Sequence, residues 1–174
     1  MSQKDWTEPF RQARYSAVHL EMRDSYAVAS EAERLAAWRE TGTVDVEADA
    51  AEHRQVWMAL VREMVARGVI VRRARIVSEP VTDYIRWEHA ITAANLGAGE
   101  QVSWLPRRSA ADLALPGTDF WLFDDDLVRF GHFTGDGDLA GHEVRTESHV
   151  LKLCRESFDQ VWERATPHED YEIH

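Results

Sequence analysis

Apolar residues near the start of the chain recur at helical spacing: Phe10, Ala13, Ala17 and Leu20, then Leu35, Ala36 and Trp38. The spacing predicts helical pieces over residues 4–40, making residues 1–45 an N-terminal helical segment. The polar, Gly-containing stretch 40–51 reads as a connector. From Glu52 the face Val56, Trp57, Leu60, Val61, Met64 and Val65 predicts a longer helix, which Gly68 ends. A β-branched run over 69–77 follows and predicts a strand. Helix, glycine, apolar strand is the α/β order, in which the strand is expected to be parallel and buried on both faces. Ser78 is the candidate cap of the next helix, with Pro80 in its first turn. That helix runs to about Asn95 with Tyr84, Trp87, Glu88 and Ile91 on one face, and Gly97 and Gly99 close it.

The second half reads as strands with tight turns. Short apolar runs at 102–105, 120–123 and 127–133 predict strands, with Asp124, Asp125 and Asp126 as the turn between the last two. Residues 134–138 form a second hairpin turn before a strand over 139–145. Val150, Leu151, Cys154, Phe158, Val161 and Trp162 predict a closing helix over 148–165. The fold class is α/β, with α+β as the alternative: a mixed sheet flanked by helices.

Composition bounds the function. At 174 residues the chain fits one domain, residues 1–174. Its 20 Lys+Arg against 31 Asp+Glu give a formal charge of −11, a field that repels phosphate backbones and argues against nucleic acid as a partner. Arg72, Arg73, Arg75, Arg107 and Arg108 make a basic cluster too small to reverse it. Cys154, the single cysteine, excludes an intramolecular disulfide and a Cys-rich zinc site. The first ten residues are polar and no apolar run approaches the ~20 residues that span a bilayer, so the cytoplasm is the expected compartment, without membrane contact. No cofactor or metal motif stands out. His142-Glu143 and His168-Glu169 are isolated pairs, and residues 136–147 match part of a calcium loop but carry Ala140 at its fifth position and follow a strand.

The candidate chemistry centres on Arg73 and Arg75, which alternate onto one face of a strand expected to be buried. Buried guanidinium groups need acids, and Glu21, Glu79, Asp83 and Glu88 are the available partners. Two readings follow: an internal ion-pair network tying the N-terminal segment to the sheet, or an anion site at the sheet's C-terminal edge with Tyr84, Trp87 and Trp104 as aromatic walls. His132 is a packing residue first and a catalytic group second, and Cys154 is expected to be a buried, inert thiol.

The order helix, glycine, strand, strand pair with an acidic turn, and a helix ending in Phe158-Asp159-Gln160-Val161-Trp162-Glu163-Arg164-Ala165 resembles a single phospholipase D-like half-domain, with its core over residues 54–166. Such enzymes carry H-x-K-x-x-x-x-D, in which His attacks, Lys holds phosphate and Asp supports the His. In one register those positions fall on Asp119, Trp121 and Asp126; in the other, on Gly117, Asp119 and Asp124, with His132 just beyond. Only the Asp survives, so the motif is degenerate and phosphodiester hydrolysis there is implausible. More narrowly, residues 20–24, 75–80, 104–107 and 120–124 resemble an actinobacterial family of unknown function whose members are often encoded near helix-turn-helix regulators. The resemblance implies a non-catalytic module acting through a protein partner, such as such a regulator, in transcriptional control, and a homodimer because the full active site needs two motifs. The alternative is an enzyme or small-molecule sensor using an Arg/acidic/aromatic cleft around Arg73 and Arg75.

Overall fold

Residues 16–21, expected to be helical, form the middle strand of the sheet. The computed structural model describes residues 6–174, and β1 (Ser16–Glu21) lies between strands on both sides. A central strand covered on both faces loses its alternation. Ala17, Val18 and Leu20 are all within 2% of complete burial, and their spacing from Phe10 and Ala13 imitates a helix. The helical reading holds on either side, in α1 (Glu8–Gln12) and α2 (Ala32–Thr41). The connector contains a helix of its own, α3 (Val46–His53), started by the Asp45 side chain accepting from the Ala48 N–H at 3.0 Å.

Helix α4 (Gln55–Ala66) and strand β2 (Ile70–Val77) follow, with Gly68 between them at φ +86°. Thr82, not Ser78, caps α5 (Asp83–Ile91): its hydroxyl accepts from the Ile85 N–H at 3.2 Å. Ser78 is taken by Asp24, which its hydroxyl meets at 2.6 Å. The helix also breaks earlier than expected, and α6 (Ala93–Ala98) ends at Gly99. Beyond it come β3 (Gln101–Pro106), β4 (Phe120–Phe123), β5 (Leu127–Phe133), β6 (Leu139–Arg145), α7 (Ser148–Arg164) and the short β7 (Thr166–Pro167).

The seven strands lie in the order β6-β5-β4-β1-β2-β3-β7. β1, β2 and β3 are parallel, whereas β4, β5, β6 and β7 join antiparallel, so the sheet is mixed. Helix α7 covers one face, packing Cys154, Phe158 and Val161 against Val18, Leu20, Ile76 and Leu122. On the other face α4 packs Met58, Val61 and Met64 over Ala17, Val71 and Phe123. Helix α5 packs Tyr84, Trp87 and Ile91 beside Val77, Val102 and Trp104. Between these two apolar patches the same face carries polar side chains. No described helix is long and apolar enough to cross a membrane.

Candidate functional site

Strand pairing places the polar side chains in two rows across the face. In one, Arg129, Trp121, His19 and Arg73 stand opposite one another on β5, β4, β1 and β2. In the next, nearer the C-terminal ends of the parallel strands, are His142, Gly131, Glu21, Arg75 and Trp104. Asp119 joins this second row just before β4, through the Gly131 N–H to its carbonyl at 2.9 Å and the Met22 N–H to its Oδ1 at 2.8 Å. All therefore share one face, because residues two apart on a strand point the same way.

At the β1–β2 end the charges are closely paired. Glu21 lies 2.5 Å from Arg73 Nη1 and 2.8 Å from Arg75 Nε. Arg73 Nε also donates to Glu100 at 2.6 Å, and Arg75 Nη1 reaches Glu88 at 2.7 Å. Asn95 Nδ2 and Trp57 Nε1 both donate to the second oxygen of Glu100, at 2.7 and 3.2 Å. Burial alone would raise the Glu21 carboxyl, but Arg75 and Arg73, with His19, hold it well below the usual carboxylate range. Burial would likewise discharge Arg75, yet Glu21 and Glu88 raise it above the ordinary guanidinium value. His19 stacks on Trp121 with ring centroids 4.3 Å apart; its Nδ1 meets the Phe120 carbonyl at 2.8 Å and its Nε2 meets Glu21 at 3.1 Å. Both imidazole nitrogens are thus engaged within the protein.

Above this floor opens a cleft of about 510 Å³, walled by Phe10, Trp57, Tyr26, Tyr84 and Phe133. Tyr26 donates to Asp119 Oδ2, and Tyr84 donates to Glu31 at 2.9 Å. Neither carboxyl forms an ion pair among the described residues, and burial dominates their acidity. Burial, then the neighbouring Glu88 charge, raises Glu31 to about 7 despite the Tyr84 bond. Burial also raises Asp119, against the bonds from Tyr26 and Met22. Glu31 therefore exchanges a proton near neutral pH at the cleft wall.

The sequence-selected residues divide. Glu21, Arg73, Arg75, Tyr84 and Glu88 come together as the paired cluster. Glu79 does not join them: it accepts from Tyr171 at 2.9 Å and meets Arg108 at 3.2 Å. Asp83 is exposed and pairs with Arg39 at 3.4 Å, because it lies on the outer side of the first turn of α5, whose Tyr84 and Ile85 face inward. Trp87 and Trp104 are fully buried core rings, and Arg75 lies 5.0 Å over Trp104. His132 points to the exposed side of β5, where it meets Glu143 at 3.0 Å. Cys154 is buried in the core under α7, and burial raises its thiol to about 11.

The residues of the two motif registers lie at opposite ends of β4. Asp119 and Trp121 line the cleft. Asp124 sits at the far end at φ +50° and accepts from the backbone N–H groups of Arg14, Tyr15 and Ser16 at 2.8, 2.8 and 2.9 Å. It fastens the start of β1 to the β4–β5 turn. Asp126 ends that turn, its N–H donating to the Phe123 carbonyl at 2.9 Å. The sequence reading missed His19, Trp57, Asn95, Glu100 and Arg129 as site residues. Reading 16–21 as a strand would have placed His19 beside Glu21 on one face; nothing local announces Glu100 or Arg129.

Comparison with known proteins supports the fold. A phospholipase D family member, Nuc from Salmonella typhimurium, is similar over 92% of this chain and 86% of that one, at 11% identity and a TM-score of 0.50. TrmBL2, an archaeal chromatin protein with a novel mode of DNA binding, is similar over 92% of this chain and 48% of its own, at 15% identity and a TM-score of 0.44. No curated protein matches. The model of the family described as "domain of unknown function (DUF6879)" matches residues 4–173, so nearly the whole chain is one copy of that domain, on a phospholipase D-like fold, and the protein belongs to that family.

Proposed function

We propose that this chain is a non-hydrolytic module that binds a small molecule in the cleft above the Glu21–Arg73–Arg75 cluster. The carrying observation is the cleft of about 510 Å³, a size suited to a small organic ligand, with aromatic walls over a polar floor. It opens at the C-terminal ends of the parallel strands, where open α/β sheets bind ligands. The floor is already organised, since Arg73, Arg75, Glu21 and Glu100 hold one another in place. Against phosphodiester hydrolysis, the cleft lining contains no lysine among the described residues, and the imidazole of His19 is stacked and engaged at both nitrogens. Protein-observed amide NMR against a library of small organic fragments tests the reading. Fragments that shift the backbone amides of Gly131 and Asn95 are the expected result; binding confined to other surfaces sinks it.

A second reading, association with a protein, rests on the rim. Trp6, Val28, Val56 and Leu139 line the mouth and are 49%, 41%, 59% and 54% exposed, an apolar collar of the kind that marks contact surfaces. On this reading the module docks a regulator of the helix-turn-helix type, or a second copy of itself. Light scattering at micromolar concentration separates the two partners: a strict monomer removes the homodimer.

A further inference from the structure

Two cations of the cleft, Arg23 and Arg129, meet no carboxylate among the described residues; Arg23 is half-buried and its Nε donates to the Ser25 carbonyl at 3.4 Å, whereas Arg129 is buried. Arg73 and Arg75 contact carboxylates, as does Arg54, whose Nε meets Asp49 at 3.0 Å. Arg129 is only 8% exposed, its Nη1 donates to the Trp6 carbonyl at 2.8 Å, and its buried Nε has no hydrogen-bond partner. Its guanidinium lies 5.0 Å over the Phe10 ring and 5.9 Å from Phe123, so an aromatic platform, not a counter-charge, holds it. Asp119, an acid on the same face, is occupied by Met22 and Tyr26.

Proteins rarely bury a guanidinium without pairing it, because desolvation opposes the charge. Burial does draw the Arg129 pKa down, with no compensating neighbour. The side chain faces the cleft, so the missing anion can be a ligand. The geometry points to a monocarboxylate with an aromatic body, its carboxylate on Arg129 and its ring against the cleft wall at the half-buried Trp57. This rests on the small-molecule reading of the cleft and adds the chemical class. A guanidinium fork matches a planar carboxylate. A dianion is disfavoured, because Glu21 and Asp119 stand on the same floor. A ring is favoured because Phe10, Trp57 and Trp121 already meet edge-on, with centroids 4.9–5.4 Å apart, and so present a faceted aromatic wall.

Isothermal titration of the full chain with 2-naphthoate, its neutral carboxamide and inorganic phosphate tests the assignment. The wild type binds naphthoate at least about tenfold more tightly than the amide, the size of one charge-assisted hydrogen bond, and shows no phosphate binding in the cleft. Arg129→Gln removes that preference by weakening acid binding far more than amide binding; Arg129→Lys restores part of it. If acid and amide bind equally to the wild type, the carboxylate assignment falls while the small-molecule cleft stands. If phosphate binds and Arg129→Gln abolishes it, the ligand class is wrong. If neither naphthyl compound binds, the aromatic-carboxylate inference fails, and the fragment screen alone decides the small-molecule reading. The acid-against-amide comparison needs only wild-type protein, so a poorly folding variant does not blunt it.

Discussion

Arg75 and Arg129 stand on the same face of the same sheet and are about equally buried, at 6% and 8% exposure, yet they are opposites electrostatically. Arg75 touches Glu21 and Glu88 and is held more firmly protonated than a free guanidinium. Among the described residues Arg129 has only a backbone carbonyl and the Phe10 and Phe123 rings, and burial works against its charge. Between Arg129 and Arg73 lie three strand spacings, roughly 14 Å at about 4.8 Å each. One half of the floor is therefore a closed ionic network, and the other half keeps an open valence. The first kind of buried cation belongs to the architecture and the second is available to a ligand. That distinction moves the functional centre from Arg73 and Arg75 toward Arg129.

The largest effect expected comes from breaking the closed half. Arg75→Met leaves Glu21 and Glu88 buried without their shared cation and should destabilise the fold by about 3–5 kcal/mol, read by urea denaturation at neutral pH. A loss below about 1 kcal/mol would mean the network is not what holds the floor.

Next is the pH response of the cleft wall beside the closed half. The Glu31 carboxyl titrates near 7 in the folded chain against an ordinary 4.5, so the folded state holds the proton more tightly than the unfolded one. The stability it contributes is complete below about pH 4.5 and is lost as pH rises through 7, by about 3 kcal/mol at most. Glu31→Gln should remove that part of the slope between pH 5 and 8. An unchanged slope would place the titration elsewhere.

A smaller effect is predicted at the far end of β4. Asp124→Gly tolerates the positive φ but withdraws the acceptor from three backbone N–H groups, and should cost about 1–2 kcal/mol without altering naphthoate affinity. A change in affinity would show that the strand anchor and the cleft are coupled.

The smallest effect separates the two arginines directly. Arg129→Met loses one bond to the Trp6 carbonyl but also removes an unpaired buried charge, so its stability should stay within about 1 kcal/mol of the wild type. A loss as large as that of Arg75→Met would erase the contrast and recast Arg129 as structural.

Much of the fold was legible because its signals are local. The apolar face of α4, the glycine at 68, the β-branched run of β2, the strands β4 and β5 with their aspartate turn and the helix α7 all follow from short-range pattern. The α3 helix was not, since its apolar residues are a valine and small alanines among charged ones and only Asp45 marks its start. Strand β1 was hidden for the opposite reason: with Ala17, Val18 and Leu20 buried toward both faces, it has no alternation to detect. The paired cluster was half legible. Two arginines two residues apart on an apolar strand demand acids, and Glu21 and Glu88 supplied them, whereas Glu79 and Asp83 were equally eligible by charge and turned away.

The sequence by itself determined that there would be a mixed α/β sheet and that buried guanidinium groups would need partners, because periodicity and desolvation act residue by residue. Only the tertiary structure decided which acids answered which arginines. Register across β5, β4, β1 and β2 brings together residues more than a hundred positions apart, and no local pattern records it. That register pairs Arg73 and Arg75 with Glu21 and leaves Arg129, on an equally apolar strand, facing the cleft with its charge unanswered.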